Sequence, residues 1–227
     1  MEKEVLGDIP FMINTANLIK SLHIDEEDAV RFKQLVNEAQ AVGRPKGIYK
    51  LSYVESKYEN FVILDGIEFT SRVLRVNLEN THRIFAFVAT CGTELESWSH
   101  SFNDVIERYW ADTIKETVLC SAMEVLIAHL KENHPVGPVS LMTPGSLEDW
   151  PMEEQQNLFE LIGNVRDLIG VELTDSYLMI PVKSISGIIF PTDVDFVSCQ
   201  LCPRERCPGR RMPYDSELYN RKYSKKI

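Results

Sequence analysis

Two stretches of the chain carry residues whose types and spacing could support chemistry. The first is a cluster of three cysteines, Cys199, Cys202 and Cys207, in the pattern C-x2-C-x4-C-P. Three thiols at this spacing can converge on one metal, and a Cys-Pro ending occurs in some iron–sulfur ligand runs. Cys91, Cys120 or a solvent molecule could complete the four ligands of a closed site. The cluster therefore predicts an iron–sulfur cluster or zinc, with free thiols on a flexible tail as the alternative.

The second stretch runs from the Pro144-Gly145 turn to Gly187. It closes with the sequence Lys183-Ser184-Ile185-Ser186-Gly187, in which small hydroxyl residues precede a glycine. A ligand or another backbone can approach such residues closely, because their side chains occupy little space.

Most familiar catalytic patterns are absent from the sequence. It contains no His-Glu-x-x-His pair, P-loop or G-x-G-x-x-G motif, and no Ser-His-Asp arrangement can be identified. The carboxylate runs at 25–28 and 148–154 lie at predicted helix starts. Helix capping and solvation explain these runs without any acid–base role.

The overall composition limits the function classes. The chain has 227 residues, of which 44% are hydrophobic, so one domain with extensions can build a sizeable core. A net charge of −10 argues against nucleic-acid binding. No apolar run is long enough to span a membrane, and the acidic start MEKEVLGDIP differs from a signal peptide. We therefore expect a cytoplasmic protein, and the five cysteines fit a reducing compartment.

The order of predicted elements indicates the fold class. Helices are expected at 11–22, from an Asp25 cap to Gly43, at 69–78 and at 103–133. A further helix is expected after the Pro-Gly turn, with Ser146 as its cap and Pro151 in its first turn. Strands are expected at 48–54, 61–64, 84–89, 171–174 and 178–180. This order favours an α+β fold with a mainly antiparallel sheet packed with helices.

Three regions are predicted along the chain. Residues 1–45 form an N-terminal helical layer, residues 46–198 an α+β core, and residues 199–227 a basic tail that contains the cysteine cluster. The tail is expected to be solvated and partly ordered, or to dock an acidic partner.

The second stretch resembles the activation domain of cobalamin-dependent methionine synthase. The matching residues keep the family's order and spacing, and they are Pro144-Gly145, Gly170, Leu173-Thr174-Asp175-Ser176, Met179, Pro181 and Ser184-Ile185-Ser186-Gly187. Their order and spacing make the match specific, since a Pro-Gly pair alone would mean little. The resemblance implies a curved antiparallel sheet with helices packed around it.

The resemblance also implies a function. In the family this domain binds S-adenosylmethionine and delivers its methyl group to the corrinoid cobalt after accidental oxidation to cobalt(II). It implies a cobalamin-carrying methionine synthase or related methyltransferase as partner, and a flavodoxin- or ferredoxin-type electron donor. The implied ligand-binding residues are Thr143, Pro144, Gly145, Ser146, Lys183, Ser184, Ser186 and Gly187. No catalytic side chain is expected, because reduced cobalt is the nucleophile.

The sequence departs from the family at three positions. The family's turn carries an arginine and a tyrosine where this chain has Leu141 and Ser146. A later family tyrosine falls around Val194 to Phe196, where no hydroxyl is present. Lys183 could replace the positive charge of the arginine, while Ser184 and Ser186 could instead be ordinary strand hydroxyls.

Two further functions stay open. One is an iron–sulfur or zinc protein of the same fold that transfers electrons to a corrinoid protein, or docks to it, without adenosylmethionine chemistry. The other is a non-catalytic binding partner of a corrinoid protein.

Overall fold

A seven-stranded antiparallel sheet forms the centre of the computed structural model, which describes residues 3–192, 196–207 and 209–224. Its strands are β1 (Lys3–Leu6), β2 (Lys46–Lys57), β3 (Phe61–Leu64), β4 (Ile67–Thr70), β5 (Arg83–Thr90), β6 (Val139–Met142) and β9 (Ser184–Pro191). The strand order is β4-β3-β2-β5-β9-β6, and β1 pairs with β2. A separate two-stranded sheet contains β7 (Glu172–Leu173) and β8 (Met179–Ile180). The predicted α+β class is confirmed.

Seven α-helices in the described part of the chain cover the sheet. They are α1 (Thr15–Ser21), α2 (Glu26–Val42), α3 (Arg72–Asn77), α4 (Thr93–Ser99), α5 (Val105–Asn133), α6 (Gln155–Ile162) and α7 (Val165–Ile169). Short 3-10 turns occur at Met152–Glu154 and Ser198–Gln200, and a π-helical turn at Tyr219–Tyr223. None of the helices among the described residues is long and apolar enough to cross a membrane.

Strand β5 shows why this sequence buries both faces of the sheet. Its apolar run pairs with β2 on one side and β9 on the other, so it lies in the middle of the sheet. Phe85 and Phe87 pack with Leu126 of α5, whereas Ala86 and Val88 pack with Leu158 of α6 on the opposite face. The alternation of a strand thus divides one hydrophobic run between two helical layers.

Most predicted elements agree with the structure, and two do not. The Asp25 carboxylate accepts from the Asp28 backbone N–H at 3.0 Å and caps α2 as expected. The segment 69–78 is wrong as a single helix, because its start belongs to β4 and a Ser71 cap begins α3. Ser146 is also wrong as a helix cap, because its hydroxyl donates to the Thr143 carbonyl oxygen and the helical segment begins after Pro151.

The C-terminal segment packs against the sheet domain. The Phe196 backbone N–H donates to the Ser140 hydroxyl at 3.0 Å, next to β6. Tyr223 is 1% exposed, and its hydroxyl donates to the Asn77 side-chain oxygen at 3.0 Å. Residues 196–224, where described, therefore form part of the folded body, while Lys225 and Lys226 of the predicted basic tail lie outside the described residues.

Candidate functional site

The loop between β6 and α6 contains the predicted Pro-Gly turn. The Gly145 backbone N–H donates to the Trp150 carbonyl oxygen at 2.8 Å, and the Trp150 N–H donates to the Leu147 carbonyl oxygen at 3.1 Å. The Ser146 N–H and hydroxyl both donate to the Thr143 carbonyl oxygen, at 3.3 and 2.7 Å. The fully buried Trp150 side chain anchors this closed loop in the core. The donors that the turn could offer to a ligand are thus used within the loop.

Gly145 has a structural reason to be glycine. Its φ of +78° is a left-handed backbone conformation, and an added Cβ would lie 2.9 Å from Met152 Cε. A larger residue there would strain the backbone and displace Met152.

Asp149 joins the loop to helix α3. Its Oδ2 accepts from the Ser71 hydroxyl and from the Val73 backbone N–H, the latter at 2.9 Å. Ser71 in turn caps α3 by accepting from the Leu74 N–H at 2.9 Å. A carboxylate at a helix N-terminus is favourable, so this contact holds the loop in a fixed place beside α3.

A groove of about 910 Å³ lies between this loop and the C-terminal segment. Its lining is mostly apolar, with two carboxylates and two tyrosines. The lining residues are Val73, Gly145, Ser146, Leu147, Glu148, Asp149, Pro151, Met152, Leu201, Cys202, Pro203, Tyr214 and Tyr219. The size and mixed lining are typical of a small-molecule site.

The charge around Tyr219 is mixed. Burial raises the pKa of Tyr219, the charge of Asp149 raises it further, and Arg72 acts in the opposite direction. Arg72 lines a smaller, adjoining groove, which shares Asp149 and Tyr219 with the larger one, and its guanidinium donates to the backbone carbonyls of Tyr223 and Glu59, at 3.0 and 2.5 Å. Among the described lining residues of the larger groove there is no lysine or arginine.

The hydroxyls of β9 have partners within the protein. The Ser184 hydroxyl donates to the Pro181 carbonyl oxygen at 2.7 Å and lies 2.9 Å from the Thr90 hydroxyl. The buried Ser186 hydroxyl donates to Gln155 Oε1 at 3.1 Å, and Gln155 Nε2 donates to the Tyr177 carbonyl oxygen at 2.9 Å. These contacts connect β9 to β5, α6 and the β7–β8 hairpin.

Gly187 allows close packing inside the sheet. An added Cβ would lie 2.3 Å from the Met142 carbonyl oxygen and 2.9 Å from the Phe87 ring. The neighbouring backbone and ring therefore occupy the space next to this glycine.

Lys183 is paired with two carboxylates on α5. Its Nζ lies 2.9 Å from Asp112 Oδ2 and 3.2 Å from Glu116 Oε2. Burial alone would lower the pKa of Lys183, but the hydrogen bonds and charges of these carboxylates outweigh it and raise the pKa. Its charge is therefore balanced locally by these two carboxylates.

The structure thus divides the predicted ligand site. Gly145 and Ser146 line the groove, whereas Thr143, Pro144, Lys183 and the β9 residues Ser184, Ser186 and Gly187 are not among its lining residues. Sequence reasoning missed Tyr214 and Tyr219, which line the groove from the C-terminal segment. Only their aromatic character within a polar segment could have signalled them. Val194, in the region of the later family tyrosine, lies outside the described residues.

The cysteine cluster is organised around an arginine. Arg210 donates to the backbone carbonyls of Cys199 and Cys202, at 3.2 and 3.3 Å, and to that of Arg204. Within residues 3–192, 196–207 and 209–224, no group of three His, Cys, Asp or Glu side chains is arranged to hold a metal ion. The structure therefore does not bring Cys199, Cys202 and Cys207 together as a metal site, and Pro208 lies outside the described residues.

Comparisons with known proteins agree with the fold. The family described as vitamin B12 dependent methionine synthase, activation domain, matches residues 147–202. A crystal structure of the MetH reactivation domain bound to AdoHcy aligns with a TM-score of 0.58 at 15% sequence identity, covering 87% of this chain and 81% of that chain. A search of curated proteins found no match. The resemblance to this domain, predicted from the sequence, is confirmed, and the structural likeness establishes the shared fold.

Proposed function

We propose that this protein binds S-adenosylmethionine in the groove beside Gly145 and supports reactivation of a corrinoid-dependent methionine synthase or related methyltransferase. The observation that carries this proposal is the position of the groove. It lies against the loop that contains Pro144-Gly145, which the sequence resemblance aligns with the family's Pro-Gly turn, in a fold shared with a reactivation domain solved with AdoHcy. The proposed setting is the cytoplasm.

The chemistry needs positioning rather than a catalytic side chain. Cobalt(II) on the partner accepts one electron from a flavodoxin- or ferredoxin-type donor and becomes cobalt(I). Cobalt(I) then attacks the methyl carbon, forming the methyl–cobalt(III) bond while the carbon–sulfur bond breaks and leaves the neutral thioether. The groove needs no general base for this reaction, because its task is to hold the methyl group near cobalt.

The groove is open enough for such a task. Glu148, Tyr214 and Tyr219 are exposed, so a ligand lying on them would remain accessible to a second protein. Met152 lines the groove and also an adjoining apolar hollow with Leu178, Ile180 and Val182, all of which are solvent-exposed. This apolar surface beside the groove is our candidate for the region that meets the corrinoid protein.

A reactivation assay tests the proposal. A methionine synthase that lacks its own reactivation domain is prepared anaerobically in the cobalt(II) form, with reduced flavodoxin and S-adenosylmethionine. We expect addition of this protein to accelerate the spectral change from cobalt(II) to methylcobalt(III). Replacing S-adenosylmethionine by S-adenosylhomocysteine should abolish the change. An unaltered spectrum, with a functional complete methionine synthase as positive control, would contradict the proposal.

The iron–sulfur or zinc alternative remains a prediction of the sequence. Metal analysis and the visible spectrum after anaerobic purification test it, with a Cys199→Ser, Cys202→Ser, Cys207→Ser triple variant as control. Stoichiometric metal that the variant loses would favour electron transfer or docking as the function.

A further inference from the structure

We infer that the groove selects a cationic ligand, and that it distinguishes S-adenosylmethionine from its demethylated product by the charge on sulfur. This inference rests on the proposed function and adds the mode of recognition. It gives Glu148, Asp149, Tyr214 and Tyr219 the role of specificity-determining residues.

The first observation is the set of acceptors in the groove. Glu148 is an exposed lining residue. Asp149 uses Oδ2 for both of its hydrogen bonds to the α3 terminus, so Oδ1 keeps its capacity to interact with a cation. Two carboxylates on one wall favour a positively charged ligand over a neutral or negative one.

The second observation is the pair of aromatic rings that the C-terminal segment adds to the lining of the groove. Tyr214 is 47% exposed and Tyr219 is 41% exposed, although both belong to a segment that packs on the sheet domain. Aromatic faces attract sulfonium and ammonium groups through the ring quadrupole. The rings also offer apolar surface against which an adenine base can stack.

The third observation concerns the donors that a carboxylate would need. The N–H groups of Gly145 and Ser146 and the Ser146 hydroxyl all donate within the loop. No lysine or arginine is among the described lining residues, and Arg72 donates to two backbone carbonyls outside this groove. The described lining residues can therefore bind the cationic groups of the ligand, but they provide no positive charge for its carboxylate.

The consequence concerns product release. S-adenosylmethionine carries positive charge on both sulfur and the amino group, whereas S-adenosylhomocysteine has a neutral thioether. Loss of the methyl group removes the sulfonium charge that the rings and carboxylates stabilise. The spent ligand is thus held less tightly than the methyl donor, which favours exchange after each transfer.

Calorimetric titration with three ligands at low ionic strength tests the inference. We expect S-adenosylmethionine to bind about tenfold more tightly than S-adenosylhomocysteine, the size of a moderate cation–π and ion-pair contribution. Decarboxylated S-adenosylmethionine, which keeps the sulfonium and the amine, should bind at least as tightly as the intact compound.

Matched variants locate the effect. Glu148→Gln and Tyr214→Leu should each weaken S-adenosylmethionine binding several-fold and change S-adenosylhomocysteine binding much less. Glu153→Gln and Tyr53→Leu are the controls, because both residues are exposed and lie outside the groove. We expect the control variants to bind both ligands like the wild type.

The outcomes separate this inference from the proposed function. Equal affinity for the two sulfur compounds, or a large loss with the decarboxylated analogue, would overturn cation selection and leave S-adenosylmethionine binding intact. Absence of binding by all three compounds to folded protein would overturn both.

Discussion

The start of β9 and the groove differ in what their polar groups contact. The hydroxyls of Ser184 and Ser186 on β9, and the charge of Lys183 just before it, all have protein partners. In the groove, Glu148, Tyr214 and Tyr219 are exposed in a concave surface. Residue type alone does not separate polar groups that stabilise the fold from polar groups that face solvent, and only the contacts distinguish them.

Thiol reactivity should show the largest contrast between the two regions. Cys91 lies beside the start of β9, since its backbone N–H donates to the Lys183 carbonyl oxygen. Burial raises the pKa of the Cys91 thiol to about 12. Cys199 belongs to the C-terminal segment that lines the groove. The Arg211 backbone N–H donates to Cys199 Sγ at 3.5 Å, and this hydrogen bond lowers the pKa of the Cys199 thiol. Because the thiolate is the nucleophile, Cys199 should be alkylated about 1,000-fold faster than Cys91 at neutral pH.

Timed alkylation with iodoacetamide and peptide mass spectrometry measures this contrast. Cys120 is an internal control, because it is accessible to the reagent. Partial burial of its thiol and the charges of Glu116 and Glu124 raise its pKa. It should react more slowly than Cys199. Faster labelling of Cys91 than of Cys199 in folded protein would contradict the comparison.

Gly187→Ala should produce the largest loss of stability. Its Cβ would meet the Met142 carbonyl oxygen and the Phe87 ring inside the sheet, so we expect a loss of about 3 kcal/mol. Urea unfolding followed by circular dichroism measures the change. Gly137→Ala is the control, because nothing lies within 4 Å of its added Cβ. Near-equal stability of the two variants would show that β9 has space beside Gly187.

Ser186→Ala should have a smaller effect on stability and none on ligand binding. The substitution removes the hydrogen bond to Gln155 in a buried place, at a cost of about 1 kcal/mol. Ser101→Ala, at an exposed position, should be close to neutral. A weaker affinity of the Ser186 variant for S-adenosylmethionine would indicate that β9 contributes to ligand binding.

Lys183→Gln should have the smallest effect. Its pKa is raised in the folded protein, so the stabilisation from Asp112 and Glu116 is present below its unfolded pKa of about 10.4 and is lost as pH rises through the higher folded value. Unfolding at pH 8 and pH 11 should show a larger difference from the wild type at the lower pH. The affinity for S-adenosylmethionine should stay within twofold of the wild type.

Much of the fold was predictable because it depends on local patterns. The continuous apolar run of β5, the Asp25 cap of α2 and the long stretch without glycine or proline in α5 are each local signals. The start of segment 69–78 was less predictable, since pairing with β3 decides that Ile67–Thr70 is a strand. The propensity of residues 67–70 alone does not specify that pairing with the neighbouring strand.

The site was predictable only in part, for a related reason. The Pro-Gly turn at Gly145 has a recognisable sequence, and it does line the groove. Tyr214 and Tyr219, about 70 residues later, also line the groove, because the C-terminal segment packs with Tyr223 beside Asn77. The basic composition of residues 199–227 indicated a solvated tail and gave no sign that this segment lines the groove.

A crystal structure of the protein with S-adenosylmethionine would test the central claim most directly. We expect the ligand beside Gly145 and Ser146, with its sulfonium near the ring of Tyr214 or Tyr219 and the β9 hydroxyl contacts unchanged. A ligand bound instead to Ser184 and Ser186, with their contacts to Pro181 and Gln155 broken, would contradict the assignment of the groove as the ligand site.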